Sequence, residues 1–133
     1  MSEAKREPLP SEIDPLAKQI VDAAFRVHET LGPGLLESVY ETCLCMELSH
    51  RRLPIERQVQ IPIYYRGRQI EPGLRIDLIV AGLVVVELKA VERLLPVHEA
   101  QVLTYLKLTG LRLGLLINFN SELIKHGIKR IAL

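Results

Sequence analysis

Tryptophan is absent, and aromatic residues make up only 5 % of the 133 residues, so the chain offers few rings on which nucleic-acid bases could stack. Charge of one sign is lacking as well. Lys and Arg number 17 against 16 Asp and Glu, and a net charge of +1 exerts no global pull on nucleic acid or an anionic membrane. Any DNA affinity must come from a local patch. The two cysteines, Cys43 and Cys45, stand two apart in a segment that reads as helix, where they point to different sides and cannot bridge. With His50 they suggest zinc, but no second Cys or His pair completes four ligands, so reduced core thiols are expected. No apolar run approaches a membrane span, and the opening MSEAKREPLP lacks the apolar core of a signal peptide. A cytoplasmic location is the expectation. Phosphate-cradling loops, dinucleotide fingerprints, repeats and low-complexity tracts are also missing.

What is present is the balance of a globular domain, 48 % hydrophobic and 25 % charged, long enough for one core that folds alone or as a simple oligomer. Residues 1–10 read as a flexible arm and 11–133 as one domain. Ile13, Leu16, Ile20, Ala23, Ala24, Val27 and Leu31 recur at helical steps, and Gly32-Pro33-Gly34 ends that helix. A second helix is expected over 35–51, with Leu36, Val39, Tyr40, Cys43, Leu44 and Leu48 inward. From Arg57 the period drops to two, and Pro62 marks an edge strand ending at the Arg66-Gly67 turn. The runs 74–80 and 83–89 read as an antiparallel hairpin, with Ile76, Leu78 and Val80 on one face of the first strand. A helix from Pro96 to Gly110, a central strand over 111–119, a short helix over 121–126 and a last strand over 128–133 complete the order ααβββαβαβ, an α/β fold.

Three charged residues interrupt apolar strands: Asp77 in RIDLIV, and Glu87 and Lys89 in VVVELKA. Glu87 and Lys89 share one side by strand parity. A two-residue turn at Ala81-Gly82 would put Asp77 opposite Val86 and on the wrong face, whereas a three-residue loop, 81–83, sets it opposite Glu87. The Cβ atoms would then lie about 5 Å apart, and two carboxylates there repel by roughly 3 kcal/mol at an effective dielectric of 20. Lys89 offsets part of this, and a divalent cation offsets more. The plainer alternative is an exposed hairpin whose carboxylates are only solvated.

The segment Gly34-Leu35-Leu36-Glu37-Ser38-Val39-Tyr40 fits G-x-x-E-x-x-Y, and its setting LGPGLLESVYE, with INF near the end of the chain, resembles the GxxExxY protein family. That family is assigned to the PD-(D/E)XK nuclease superfamily, so the resemblance implies a restriction-endonuclease-like core, a mixed central sheet flanked by helices. It also implies roles: Glu37 as a helix-borne acid, Asp77 as the first strand carboxylate, Glu87 and Lys89 as the E-x-K pair, and Gln101 with Tyr105 as the element that follows. Gln101 and Tyr105 lie on one helix face, which His98 joins three residues earlier. Each could instead be a structural hydrogen-bonding group, His98 most readily. His28 and Tyr40 read as structural.

The activity implied is a Mg²⁺-dependent (or Mn²⁺-dependent) nuclease acting on DNA, with Asp77, Glu87 and Glu37 as metal ligands and Lys89, Gln101 and Tyr105 completing the catalytic set. Gly34 should let the helix start approach the strands closely, bringing Glu37 to the cluster. Arg51, Arg52, Arg57, Arg66, Arg68 and Arg75 offer a phosphate-contacting surface or an ordinary solvated face. The rival reading is a silent nuclease-fold module that binds nucleic acid or protein, such as a subunit of a larger assembly.

Overall fold

The computed structural model describes residues 10–133, so all but the last residue of the expected N-terminal arm lies outside the described residues. Helix α1, Ile13–Leu31, buries the stripe read from the sequence, with Ile13, Ile20, Ala23 and Ala24 essentially inaccessible. It stops at Gly32, whose φ of 68° few other residues adopt and whose N–H reaches back to the His28 carbonyl at 2.8 Å.

Helix α2, Glu37–His50, corrects the expected inward face. Leu36 is 74 % exposed and Val39 38 %, while Glu41 and Cys45 are buried beside Tyr40, Leu44 and Leu48. The helix is therefore rotated so that a carboxylate points inward. Apolar spacing could not show this, because the partner that makes burial tolerable lies on a strand.

Five strands follow: β1 Ile55–Tyr65, β2 Arg68–Val80, β3 Val84–Lys89, β4 Leu113–Asn118 and β5 Ile128–Ala132. They form one sheet in the order β1-β2-β3-β4-β5, with β3 and β4 parallel and the other neighbours antiparallel. The parallel pair needs a crossover, supplied by α3, Pro96–Thr109. All six residues of β4 are buried, as its apolar run requires. The short helix before β5 is a single 3₁₀ turn, Ile124–Gly127.

Helices α1 and α2 cover one face of the sheet, packing on Leu78, Val80, Val84, Val86, Leu88, Leu113, Leu115 and Ile117. Helix α3 covers the other through Tyr105 and Leu106, against Ile79 and Val85. Each such aliphatic side chain contributes about 1.5–3 kcal/mol by leaving water. Ile76 is a second correction. It packs with the α3 cluster and not with Leu78 and Val80. The cause lies one residue on. Arg57 pairs with Leu78 and Val59 with Ile76, yet the rung between them, Gln58 and Asp77, is missing, and Gln58 has φ of 51°. Side-chain alternation slips at that irregular rung.

Candidate active site

The loop between β2 and β3 is Ala81-Gly82-Leu83, closing on a Leu83 N–H to Val80 carbonyl bond of 3.0 Å. Val80 pairs with Val84 and Leu78 with Val86, so Asp77 and Glu87 occupy the next opposed positions. The three-residue loop is the one that brings the carboxylates together. There the backbone ladder gives way to side chains: Asp77 Oδ2 accepts from the Leu88 N–H at 2.9 Å, and Glu87 Oε1 from the Asp77 N–H at 3.4 Å. Lys89 completes the triad, with Nζ 3.6 Å from Glu87 Oε2 and both side chains largely buried.

Burial, then the negative charge of Asp77, pushes the Glu87 carboxyl up to about 8, with Lys89 opposing. Burial also raises Asp77, whereas the Leu88 N–H and a hydrogen bond from Glu87 work to lower it. Burial thus favours a proton on this pair, and on Glu87 in particular.

Helix α2 brings two further acids. Glu37, in the first turn, is exposed as a residue, but its carboxyl is raised by partial desolvation, then by the Asp77 charge, with Lys89 opposing. Glu41, one turn on, was not anticipated from the sequence. Its Oε2 accepts from Arg57 Nε and Nη2 at 3.2 and 3.0 Å, and its Oε1 from Gln58 Nε2 at 2.7 Å. The i, i+4 step from Glu37 was the available signal, since it places both acids on one helix face. Glu41 fixes Gln58, the residue across from Asp77.

The G-x-x-E-x-x-Y segment is a turn-holding device that aims Glu37. The Tyr40 hydroxyl donates to the Gly32 carbonyl at 2.6 Å and accepts the Leu35 N–H at 3.1 Å, while its ring stacks on Phe119 with centroids 4.7 Å apart. Asn118 and Asn120, around that phenylalanine, hold the Val91 and Gly34 backbone. Gly34 does not serve close approach, because a Cβ there would meet nothing within 4 Å. Its φ of 100° is what calls for glycine.

From the opposite face α3 presents Gln101 and Tyr105. The Tyr105 hydroxyl donates to the Arg75 carbonyl at 3.3 Å and bonds the Gln101 side chain. Burial, then the Glu87 and Asp77 charges, raises it well above the usual phenol range, so it stays neutral. Gln101, Lys89 and His98 border one open groove of about 440 Å³. His98 also has a structural task, its Nδ1 accepting the Leu95 N–H at 3.0 Å to cap α3. His28 is held similarly, by the Ser121 carbonyl at 2.8 Å. A larger cleft of about 670 Å³, between α2 and the start of β1, has no acidic lining residue and meets this site through Arg57.

Among the described residues no group of three or more His, Cys, Asp or Glu side chains is gathered tightly enough to hold a metal ion. The close carboxyl pair is Asp77 and Glu87, with Glu37 at its rim. Two carboxylates with the remaining positions filled by water suit a hard, hydrated dication. Also among these residues, no helix is long and apolar enough to cross a membrane.

No curated protein and no solved structure matches the chain. A family model described as PD-(D/E)XK nuclease superfamily matches residues 14–131, from the first turn of α1 into β5 and across every element that supplies the carboxylates, lysine, glutamine and tyrosine above. On that match the chain belongs to the PD-(D/E)XK nuclease superfamily.

Proposed function

We propose that the chain is a Mg²⁺- or Mn²⁺-dependent phosphodiesterase acting on DNA, of the GxxExxY kind within its superfamily. The observation that carries this reading is the pair Asp77 and Glu87, set at opposed positions beside Lys89 where β2 parts from β3. Asp77 and Glu87 are the residues to hold the dication, and Glu37 reaches it through water. Oxygen-only donors suit Mg²⁺ or Mn²⁺ better than zinc. When bound, the cation supplies Lewis-acid charge and a bound water of lowered pKa.

The chain's own residues do the rest. Lys89 presents its ammonium toward the groove, where it orients the attacking water or neutralises a phosphate oxygen. Gln101 and Tyr105 hold α3 over β2, and the neutral Tyr105 hydroxyl donates without competing for the cation. Glu41 keeps Gln58, across from Asp77, in its left-handed conformation.

The absence of a gathered three-ligand group among the described residues favours a second reading, a silent module that binds without turnover. Incubation with mixed DNA and RNA substrates and Mg²⁺ or Mn²⁺ separates the two. The nuclease reading requires metal-dependent cleavage that Asp77→Asn abolishes. Binding without cleavage in either metal would establish the module.

A further inference from the structure

Strand β2 runs 13 residues but pairs with β3 only near its C-terminal end, so most of the β1–β2 ribbon extends past the rest of the sheet as a two-stranded arm. The ribbon turns at Arg66-Gly67, with φ of 52° and 78°, and Tyr65 pairs with Arg68 and Ile63 with Ile70 beside the turn. Tyr64 and Tyr65 are 62 % and 67 % exposed, although large aromatics normally find cover. These two rings are half of the chain's four tyrosines. Between Arg57 and Arg75 the arm carries four arginines against one acid, Glu71, in a protein whose net charge is +1. Arg57 is tied to Glu41, but Arg66, Arg68 and Arg75 stand exposed.

Strand parity gives the arm a direction. Val59 and Ile61 pack with the α3 cluster. The half-buried alternation of Val59, Ile61 and Ile63 on β1 continues through the register shift between Ile61 and Ile63, which puts Tyr65, paired with Arg68, on the α3 side and Tyr64 on the other. Glu87 and Lys89 also face the α3 side. The other end of the arm is anchored at the site, because Arg75 gives its carbonyl to Tyr105 and Asp77 follows two residues later.

We propose that the β1–β2 arm grips single-stranded nucleic acid, with Tyr65 stacking on an unpaired base on the α3 side and Arg66 and Arg68 contacting the backbone phosphates. This rests on the nucleic-acid reading of the carboxylate site and narrows its substrate to strands whose bases are open. A ring stacks on any base but needs that base unpaired, while guanidinium groups beside it supply the phosphate contacts. The arm thus confines stacking to one place in an otherwise ring-poor chain.

The test is binding without chemistry. Fluorescence anisotropy of labelled oligo(dT), oligo(rU) and a blunt duplex is measured with the full chain carrying Asp77→Asn, in EDTA. Tighter binding of the single strands than of the duplex is expected, and the two oligomers show whether the sugar matters. Tyr65→Ala weakens single-strand binding about tenfold or more, Tyr64→Ala on the other face does so less, and Tyr65→Phe, which keeps the ring face, restores most of what Tyr65→Ala loses. Arg66→Asn with Arg68→Gln lowers the salt slope by about 1.4, and asparagine tolerates the left-handed turn position. Melting curves confirm that these exposed substitutions leave the fold intact. Unchanged affinity and slope in the substituted arms, a preference for duplex, or loss of self-association in place of nucleic-acid binding would each overturn the proposal. Failure of the nuclease reading looks different, since the parent then binds strands through the arm and cleaves none.

Discussion

Inside the sheet, against the pull of Lys89, burial and the Asp77 charge favour the protonated form of Glu87. Its folded-state acidity moves from 4.5 up to about 8, while in the unfolded chain it ionises near the ordinary value. Between those limits the native state binds more protons than the unfolded state, so its stability falls as pH rises through that window and changes no further above it. The melting temperature of the metal-free parent should therefore drop relative to that of Glu87→Gln between pH 5 and pH 8. An unchanging difference would mean that Glu87 is already ionised at pH 5. At neutral pH, Asp77→Asn and Glu87→Gln should each leave the metal-free protein as stable as the parent or more so, as is common where a site is built for function. Mg²⁺ should then raise the melting temperature of the parent and of neither variant, because a ligand of the folded state stabilises by mass action. Glu41 should behave oppositely. Glu41→Ala leaves the Gln58 amide to water and frees the half-exposed Arg57, at a cost of about 1 kcal/mol in a denaturant melt.

The elements matter through the distances they hold between the two faces of the site. Helix α3 sits close on β4 because Gly114 has no side chain: a Cβ there would fall 2.4 Å from Val102 Cγ1. Gly114→Ala should cost about 1–3 kcal/mol in a denaturant melt, since β-branched Val102 has little freedom to turn aside. It should also shift Gln101 and Tyr105 from Lys89, so any cleavage falls further than stability alone explains. On the other face, Tyr40→Phe keeps the stack on Phe119 but removes the hydroxyl that joins Gly32 to Leu35. About 1 kcal/mol is expected for it in the same melt. Much at this scale was legible in the sequence. The α1 stripe, the edge strand with Pro62 and the Pro96-to-Gly110 helix each follow from local spacing or turn chemistry, whereas the same signals leave the loop at 81–83 open between two and three residues. The α2 face was not, because Glu41 is buried by Arg57 and Gln58, which come from a strand and leave no mark on helical periodicity. The full length of β2 was also missed, since its exposed N-terminal half has no apolar alternation to reveal it.

In the whole molecule, a parallel β3–β4 pair requires a crossover helix, the crossover places α3 over the E-x-K strand, and the irregular rung at Gln58 and Asp77 opens β2 toward α2. The strand core of the site was legible because two carboxylates and a lysine in apolar strands conflict with burial. The Tyr105 contact with the Arg75 carbonyl and the Tyr40 stack on Phe119 were not, as they join segments far apart in the chain. A proton favoured on Glu87 by burial and by Asp77 stands where the proposed dication would bind. Calorimetric titration of Mn²⁺ at pH 7, repeated in buffers of different ionisation enthalpy, measures protons released per metal bound. Release of about one proton by the parent is expected, since Glu87 must ionise to become a ligand, with loss of binding in Asp77→Asn and Glu87→Gln. Binding with no proton released, or equal binding by Asp77→Asn, would contradict it.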